Sequence, residues 1–330
     1  MNESTITRRS AIAAAGAVAA SLTLAGCGGT SDDAPAGSAV ASGSYKIGVL
    51  QLTEHAALDA ANKGFIAAVD ASGLDVSIDQ QNAQNDQTAC QTIASKLVGD
   101  GDDLIFAIAT PAAQAAAAAT SEIPIVATAI TDFAAADLVK DNDEPGTNVT
   151  GSSDLTPVAE QMDLMHKVLP DVEKVGILFC TAEANSLIQV EMAEEELEKL
   201  GLASARYSVS SSNEIQSVTE AMVGKVDAIY TPTDNTIASG MAQIAQIALD
   251  AKVPTVCGEK AHVDAGGLFS LSIDYEDLGR RAGEMAVEIL AGKGEPASMP
   301  IVHLGADDLE LVVNGETAAA LGIDPESITR

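Results

Sequence analysis

The chain of 330 residues contains no tryptophan, and aromatic residues make up only 3% of it, so few rings are available to stack on a planar ligand. Basic residues are scarce as well. Lys and Arg number 17 against 48 Asp and Glu, and the formal charge of −31 repels nucleic acid and anionic lipid head groups. Catalytic signatures are missing: there is no Gly-x-Ser-x-Gly elbow, no Walker loop and no Gly-x-Gly-x-x-Gly after a strand. His55, His166, His262 and His303 are scattered without ligand spacing, so neither a metal nor a cofactor is expected. Cysteines number 4, and the spacing of Cys90, Cys180 and Cys257 specifies no disulfide; Cys180 and Cys257 both end predicted strands and read as buried thiols. The apolar run Ala11–Ala20 is short for a membrane span.

What remains is globular: 47% hydrophobic, 20% charged, and long enough for two domains. The first residues read as an address rather than as fold. Arg8-Arg9 precede the Ala-rich run, and Leu24-Ala25-Gly26-Cys27 follows, which resembles a bacterial lipoprotein signal with its lipobox. That resemblance implies a signal peptide over 1–26, cleavage before Cys27, lipidation of Cys27 and stable attachment to a membrane. Thr7-Arg8-Arg9-Ser10 leaves the general secretory and twin-arginine routes both open. Residues 27–44, rich in Gly, Ser, Ala and Asp, cannot bury a core and form a flexible tether.

The rest of the chain says one thing twice. Lys46-Ile47-Gly48-Val49-Leu50 matches Lys174-Val175-Gly176-Ile177-Leu178, and each leads through a polar loop into a helix-spaced apolar pattern. Asp102–Phe106 with Thr110-Pro111 parallels Val226–Tyr230 with Thr231-Pro232, and Ile123–Val126 parallels Val253–Val256. A period of about 128 residues is too long for a solenoid, so the reading is two similar βαβ-built lobes facing each other. The runs Val175–Phe179 and Leu104–Ala109 have the continuous apolar character of parallel strands covered on both faces. Asn185 or Ser186 is predicted to cap the helix that Gly201 ends, and Pro111 suits a first helical turn.

In open α/β sheets ligands bind where strands end and helices begin. Helix N-termini there offer unpaired N–H groups suited to a carboxylate, with Thr110, Asn185 and Ser186 as further donors. Glu54, Asp132, Glu183, Asp234, Glu259 and Asp274 are acids at strand ends, and one or two of them would neutralise an ammonium group. Asn235, Gln114 and Tyr275 stand in the same loops, and His55 offers a ring that can stack or hydrogen-bond. For each acid the competing role is a helix cap or a solvated loop charge. A site with both features fits a zwitterion, hence an α-amino acid.

Six segments in order, among them Glu54–Ala60, Ala107–Gln114, Asn148–Thr156, Glu183–Ser186, Ser210–Asn213 and Tyr230–Thr236, resemble ABC-transporter substrate-binding proteins of the tryptophan/tyrosine type. The resemblance runs from about Tyr45 to the C-terminus. It implies an α/β fold of two doubly wound, Rossmann-like lobes joined by a three-strand hinge, the type I periplasmic binding protein. It divides the chain into lobe 1 (45–150 plus about 275–300) and lobe 2 (151–274 plus about 301–330). It also implies a monomer that closes on an aromatic amino acid and delivers it to permease and ATPase subunits. The shortage of aromatics departs from that pattern, and an alanine wall of Ala56, Ala112 and Ala113 is expected to leave room for a side chain instead. The absence of tryptophan speaks against sugar binding by stacking. A ligand-sensing ectodomain and a hydrolase using cleft carboxylates fit the same lobes.

Overall fold

A computed structural model describes residues 44–330. The signal peptide, Cys27 and the tether up to residue 43 lie outside the described residues.

The first half runs β1 (Ser44–Gln51), α1 (Ala56–Ala71), β2 (Asp75–Asn82), α2 (Gln87–Asp100), β3 (Leu104–Ile108), α3 (Thr110–Ala119), β4 (Ile125–Ile130) and β5 (Val149–Ser153). The second repeats the order with α4 (Val158–Val168), β6 (Lys174–Cys180), α5 (Ala184–Lys199), β7 (Ala203–Val209), α6 (Ile215–Met222) and β8 (Ala228–Thr231). It continues with α7 (Asn235–Asp250), β9 (Thr255–Cys257), α8 (Lys260–Asp264) and β10 (Phe269–Ser272). The chain closes with α9 (Tyr275–Leu290), β11 (Val302–His303), β12 (Glu310–Val313) and α10 (Gly315–Leu321).

Two six-stranded sheets result, ordered β2-β1-β3-β4-β5-β11 and β7-β6-β8-β9-β10-β12. All pairings are parallel except β10 with β12. Their central strands are buried along their whole length and apolar apart from Thr128 and Thr231, which is what helices on both faces require. The repeat extends to single bonds. Lys46 N donates to Asp103 Oδ2 at 2.8 Å, and Lys174 N donates to Asp227 Oδ2 at 2.8 Å. Gly48 and Gly176 hold equivalent places because a Cβ there would lie 2.7 Å from Leu97 Cδ2 and 2.6 Å from Met222 Cε respectively.

The sheets exchange the chain three times: after β5, between β10 and α9, and between β11 and β12. The first and third crossings fall at 154–157 and 304–309, a few residues beyond the boundaries read from the sequence. The second returns α9 to the first lobe, where it lies against α1 almost backbone to backbone. A Cβ on Gly279 would sit 1.8 Å from Ala61 O, and one on Gly64 1.9 Å from Glu276 O. Below this helix pair Phe65 and Phe106 stack with centroids 3.6 Å apart, anchoring α1 on β3. Cys90, Cys180 and Cys257 are buried free thiols. Gly279→Val should therefore force α9 off α1 and lower stability by roughly 1–3 kcal/mol, read as a fall in the midpoint of thermal unfolding, whereas Gly99→Ala in α2, with nothing within 4 Å, should leave packing intact.

Candidate functional site

In the order 2-1-3-4-5 adopted by each sheet, the strand order reverses beside the first strand, and the loops there splay apart into a crevice. The crevices of the two lobes face each other. Between them lies a narrow, largely enclosed cavity. The first lobe and its crossings contribute His55, Leu58, Ala129, Asp154 and Tyr275; the second contributes Asn185, Thr233, Asp234, Asn235 and Glu259. Ala129 takes φ 56°, which turns the end of β4 towards β5.

The acids here are held in different ways. Glu183 precedes α5, yet its carboxylate caps α7: it accepts from Asn235 N (3.1 Å), Thr236 N (2.8 Å), Thr236 Oγ1 (2.8 Å), Asn235 Nδ2 (2.6 Å) and Asn185 Nδ2 (3.3 Å). Asp234 is the N-cap of α7 and accepts from Ile237 N at 2.8 Å, Cys180 N at 2.6 Å and Ser186 Oγ at 2.7 Å. Burial and the neighbouring Glu183 charge nevertheless push Asp234 well above the usual carboxylate range. Burial pushes Glu259 upward too, but the His262 imidazole, whose Nε2 stands 3.1 Å away, outweighs it and leaves Glu259 below its ordinary value. Asp154 has less support. Tyr275 Oη donates to its Oδ2 at 2.9 Å and Thr131 Oγ1 to its Oδ1 at 3.4 Å, and burial pushes the carboxyl up to about 7. Burial, with Asp154 and Glu259 nearby, holds the Tyr275 phenol well above its usual range, so it stays a donor.

Among the described residues, hydrogen bonds that cross between lobes include His55 Nε2 with Asn235 Oδ1 (3.1 Å), Asn85 Nδ2 to Thr236 Oγ1 (3.0 Å), Gln87 Nε2 to Ala182 O (2.8 Å) and Gln189 Nε2 to Thr131 Oγ1 (3.1 Å). Gln189 also bonds the Thr233 hydroxyl. Two atoms on cavity-lining residues, His55 Nδ1 and Asn185 Oδ1, are buried without a hydrogen-bond partner among the described residues.

Of the residues singled out from sequence, His55, Asn185, Asp234, Asn235, Glu259 and Tyr275 line the cavity. The others do not. Glu54 is exposed, and Asp274 is exposed and caps α9 through Glu276 N (2.8 Å) and Asp277 N (3.3 Å). Asp132 ties its own loop, accepting from Ala134 N, Ala135 N and Asn142 Nδ2. Gln114 is exposed and donates to Ala136 O at 3.1 Å. Thr110 is buried at the start of α3, and Glu183 and Ser186 are buried behind the cavity wall. The helix expected to be capped by Asn185 or Ser186 has Glu183 at its N-cap, because both residues turn inward in the first turn. Ala112 and Ala113 belong to the core and Ala56 to an outer groove, so no alanine wall forms. Asp154 and Thr233 line the cavity without having been singled out, and Gln189 reaches Thr233 from α5. Among the described residues no group of three or more His, Cys, Asp or Glu is placed to hold a metal, and no helix is long and apolar enough to cross a membrane.

Known proteins share this architecture. The model of the ABC transporter substrate binding protein family matches residues 46–329. The chain is 42% identical over 279 residues to the tyrosine-binding protein of Clostridioides difficile strain R20291, covering 83% of this chain and 80% of that protein. It therefore belongs to the ABC transporter substrate-binding protein family, which implies a small-molecule ligand, a permease partner, an extracytoplasmic place of work and a binding role. Among solved structures, an ABC domain from Streptococcus pneumonia in complex with L-Trp shares 41% identity and a TM-score of 0.83, covering 87% of this chain and 97% of that one. The ligand-free, open structure of a substrate-binding protein with adhesive properties from Clostridium difficile shares 42% identity but a TM-score of only 0.66, over 85% and 95%. At similar identity, the structure thus superposes better on the L-Trp complex than on the open, ligand-free one. A Bacillus halodurans solute-binding protein at 18% identity and TM-score 0.62 shows the fold alone.

Asp234→Ala should strip α7, the end of β6 and the Ser186 hydroxyl of α5 of one bond each and destabilise the empty protein by roughly 2–3 kcal/mol, whereas Asp274→Ala, at an exposed cap, should fall near 1 kcal/mol; equal losses in chemical denaturation would mean that Asp234 is not the buried cap described.

Proposed function

We propose that this chain captures an aromatic amino acid between its lobes and hands it to an ABC permease and its ATPase. The observation that carries the reading is the enclosed interlobe cavity, ringed by carboxylates and by unpartnered atoms of His55 and Asn185. A zwitterion meets both needs: its ammonium answers buried negative charge, and its carboxylate accepts from the His55 ring and from N–H groups at a helix start. The C. difficile relative named for tyrosine and the L-Trp complex from S. pneumonia support the same ligand class. Leu58, Ala129 and the Tyr275 ring give the side chain what apolar surface the cavity has. Ligand touching both lobes favours the closed form by its differential affinity, so loaded and empty proteins present different surfaces to the transporter. The chain acts as a monomer held at the membrane by lipid on Cys27. It performs no chemistry on what it carries.

Calorimetric titration tests this. L-tyrosine, L-tryptophan or L-phenylalanine should bind one per chain with Kd below about 100 μM and be recovered unchanged. Because the protein has no tryptophan, the emission of bound L-tryptophan reports its own burial and should shift to the blue. Failure of all three to bind, or turnover of any of them, would overturn the reading.

A further inference from the structure

We propose that Asp154 is the carboxylate that pairs with the ligand's ammonium group, and that binding in mildly acidic solution therefore expels a proton. This rests on the amino-acid reading above and assigns a role to Asp154, which lies within the resembling segment Asn148–Thr156 but was not among the acids weighed there.

The assignment follows from which charges the protein already answers. Glu183 has five donors and Asp234 has three, including main-chain N–H groups at the start of α7. Glu259 has the His262 imidazole 3.1 Å away. Asp154 is 5% exposed and lines the cavity, and its donors are two neutral hydroxyls, one of them at 3.4 Å. A carboxylate so far out of water needs a cation. No lysine or arginine lines the cavity, and among the described residues no ion pair reaches Asp154. The titratable groups around it are His55 from α1, Tyr275 from α9, Glu259 between β9 and α8, and Asp234 before α7, with His262 behind Glu259. The Tyr275 phenol stays protonated and neutralises nothing. Asn185 Oδ1, on the opposite lobe, is an unused acceptor for a second ammonium hydrogen. The pair would thus tie the first hinge crossing to the second lobe.

The proton balance is explicit. In the closed, empty protein burial raises the Asp154 carboxyl to about 7. A ligand ammonium arriving at the protonated carboxyl forms the ion pair only if the carboxyl proton leaves for solvent. Affinity is therefore full above the unliganded titration point and falls as pH drops below it, by up to about tenfold per unit.

The experiment is titration of L-tyrosine into the whole mature protein at pH 8.0 and 5.5, in two buffers of different ionisation enthalpy. The wild type should bind at least about tenfold more weakly at pH 5.5 and release a proton there. Asp154→Asn should weaken binding at pH 8.0, show the same affinity at both pH values and release none, while Asp274→Asn keeps the wild-type slope. On the wild type, 3-(4-hydroxyphenyl)propionate, which lacks only the amino group, should bind far more weakly and release no proton, a readout independent of how the variant folds. A flat wild-type profile, a retained slope in Asp154→Asn, or equal binding and proton release by the deamino compound would overturn the assignment alone. Absence of binding by every aromatic amino acid at pH 8.0 would overturn the ligand reading and this assignment with it.

Discussion

Four carboxylates, those of Asp154, Glu183, Asp234 and Glu259, are held out of water within one small region of this protein. A buried carboxylate is tolerable only if donors or cations replace its hydration, because its desolvation outweighs what most single contacts return. That requirement shapes the site. Glu183 reaches from the head of α5 to the first N–H groups of α7, and Asp234 reaches back from α7 to the main chain at the end of β6. Two helix starts and a strand end are thereby locked into one rigid corner of the second lobe. The cavity wall is set before any ligand arrives, and Asn185 and Asn235 inherit their positions from it.

The other wall is set by the hinge. Asp154 lies just past β5 and Tyr275 opens α9, so their hydrogen bond joins two of the three crossings at the cavity floor. The glycine-mediated seat of α9 on α1 fixes where that floor stands relative to the first lobe. Closure itself is finely balanced. The hydrogen bonds described across the cleft are each worth about 1 kcal/mol net, and Asn85 and Gln87 are exposed, so water competes. A ligand contributing a few kcal/mol of preference for the closed state is enough to shift the population.

Much of this was legible in the sequence, for reasons that can be named. The echo of Lys46–Leu50 in Lys174–Leu178 exposed a duplication, and buried parallel strands announce themselves as unbroken apolar runs. The strand-end loops singled out there include His55, Asn185, Asn235 and Glu259, which line the cavity. The acids were harder, since a carboxylate at a strand end has the same local signature whether it meets a ligand, caps its own helix as Asp274 does, or caps another as Glu183 does. Asp274 stood immediately before a helix and could have been read as its N-cap. Asp154 stood in the resembling segment Asn148–Thr156 yet was not weighed with the other acids, because its partners Thr131 and Tyr275 are distant in the chain. The short helices α8 and α10 escaped notice because 5 and 7 residues hold too little periodicity to register.

The account stands on closure of two lobes around a small aromatic zwitterion. Small-angle X-ray scattering of the mature chain, with and without saturating L-tyrosine, measures that directly. Closure predicts a smaller radius of gyration in the presence of ligand and a profile matching the arrangement described here; identical profiles at ligand concentrations shown by calorimetry to saturate the protein would contradict it.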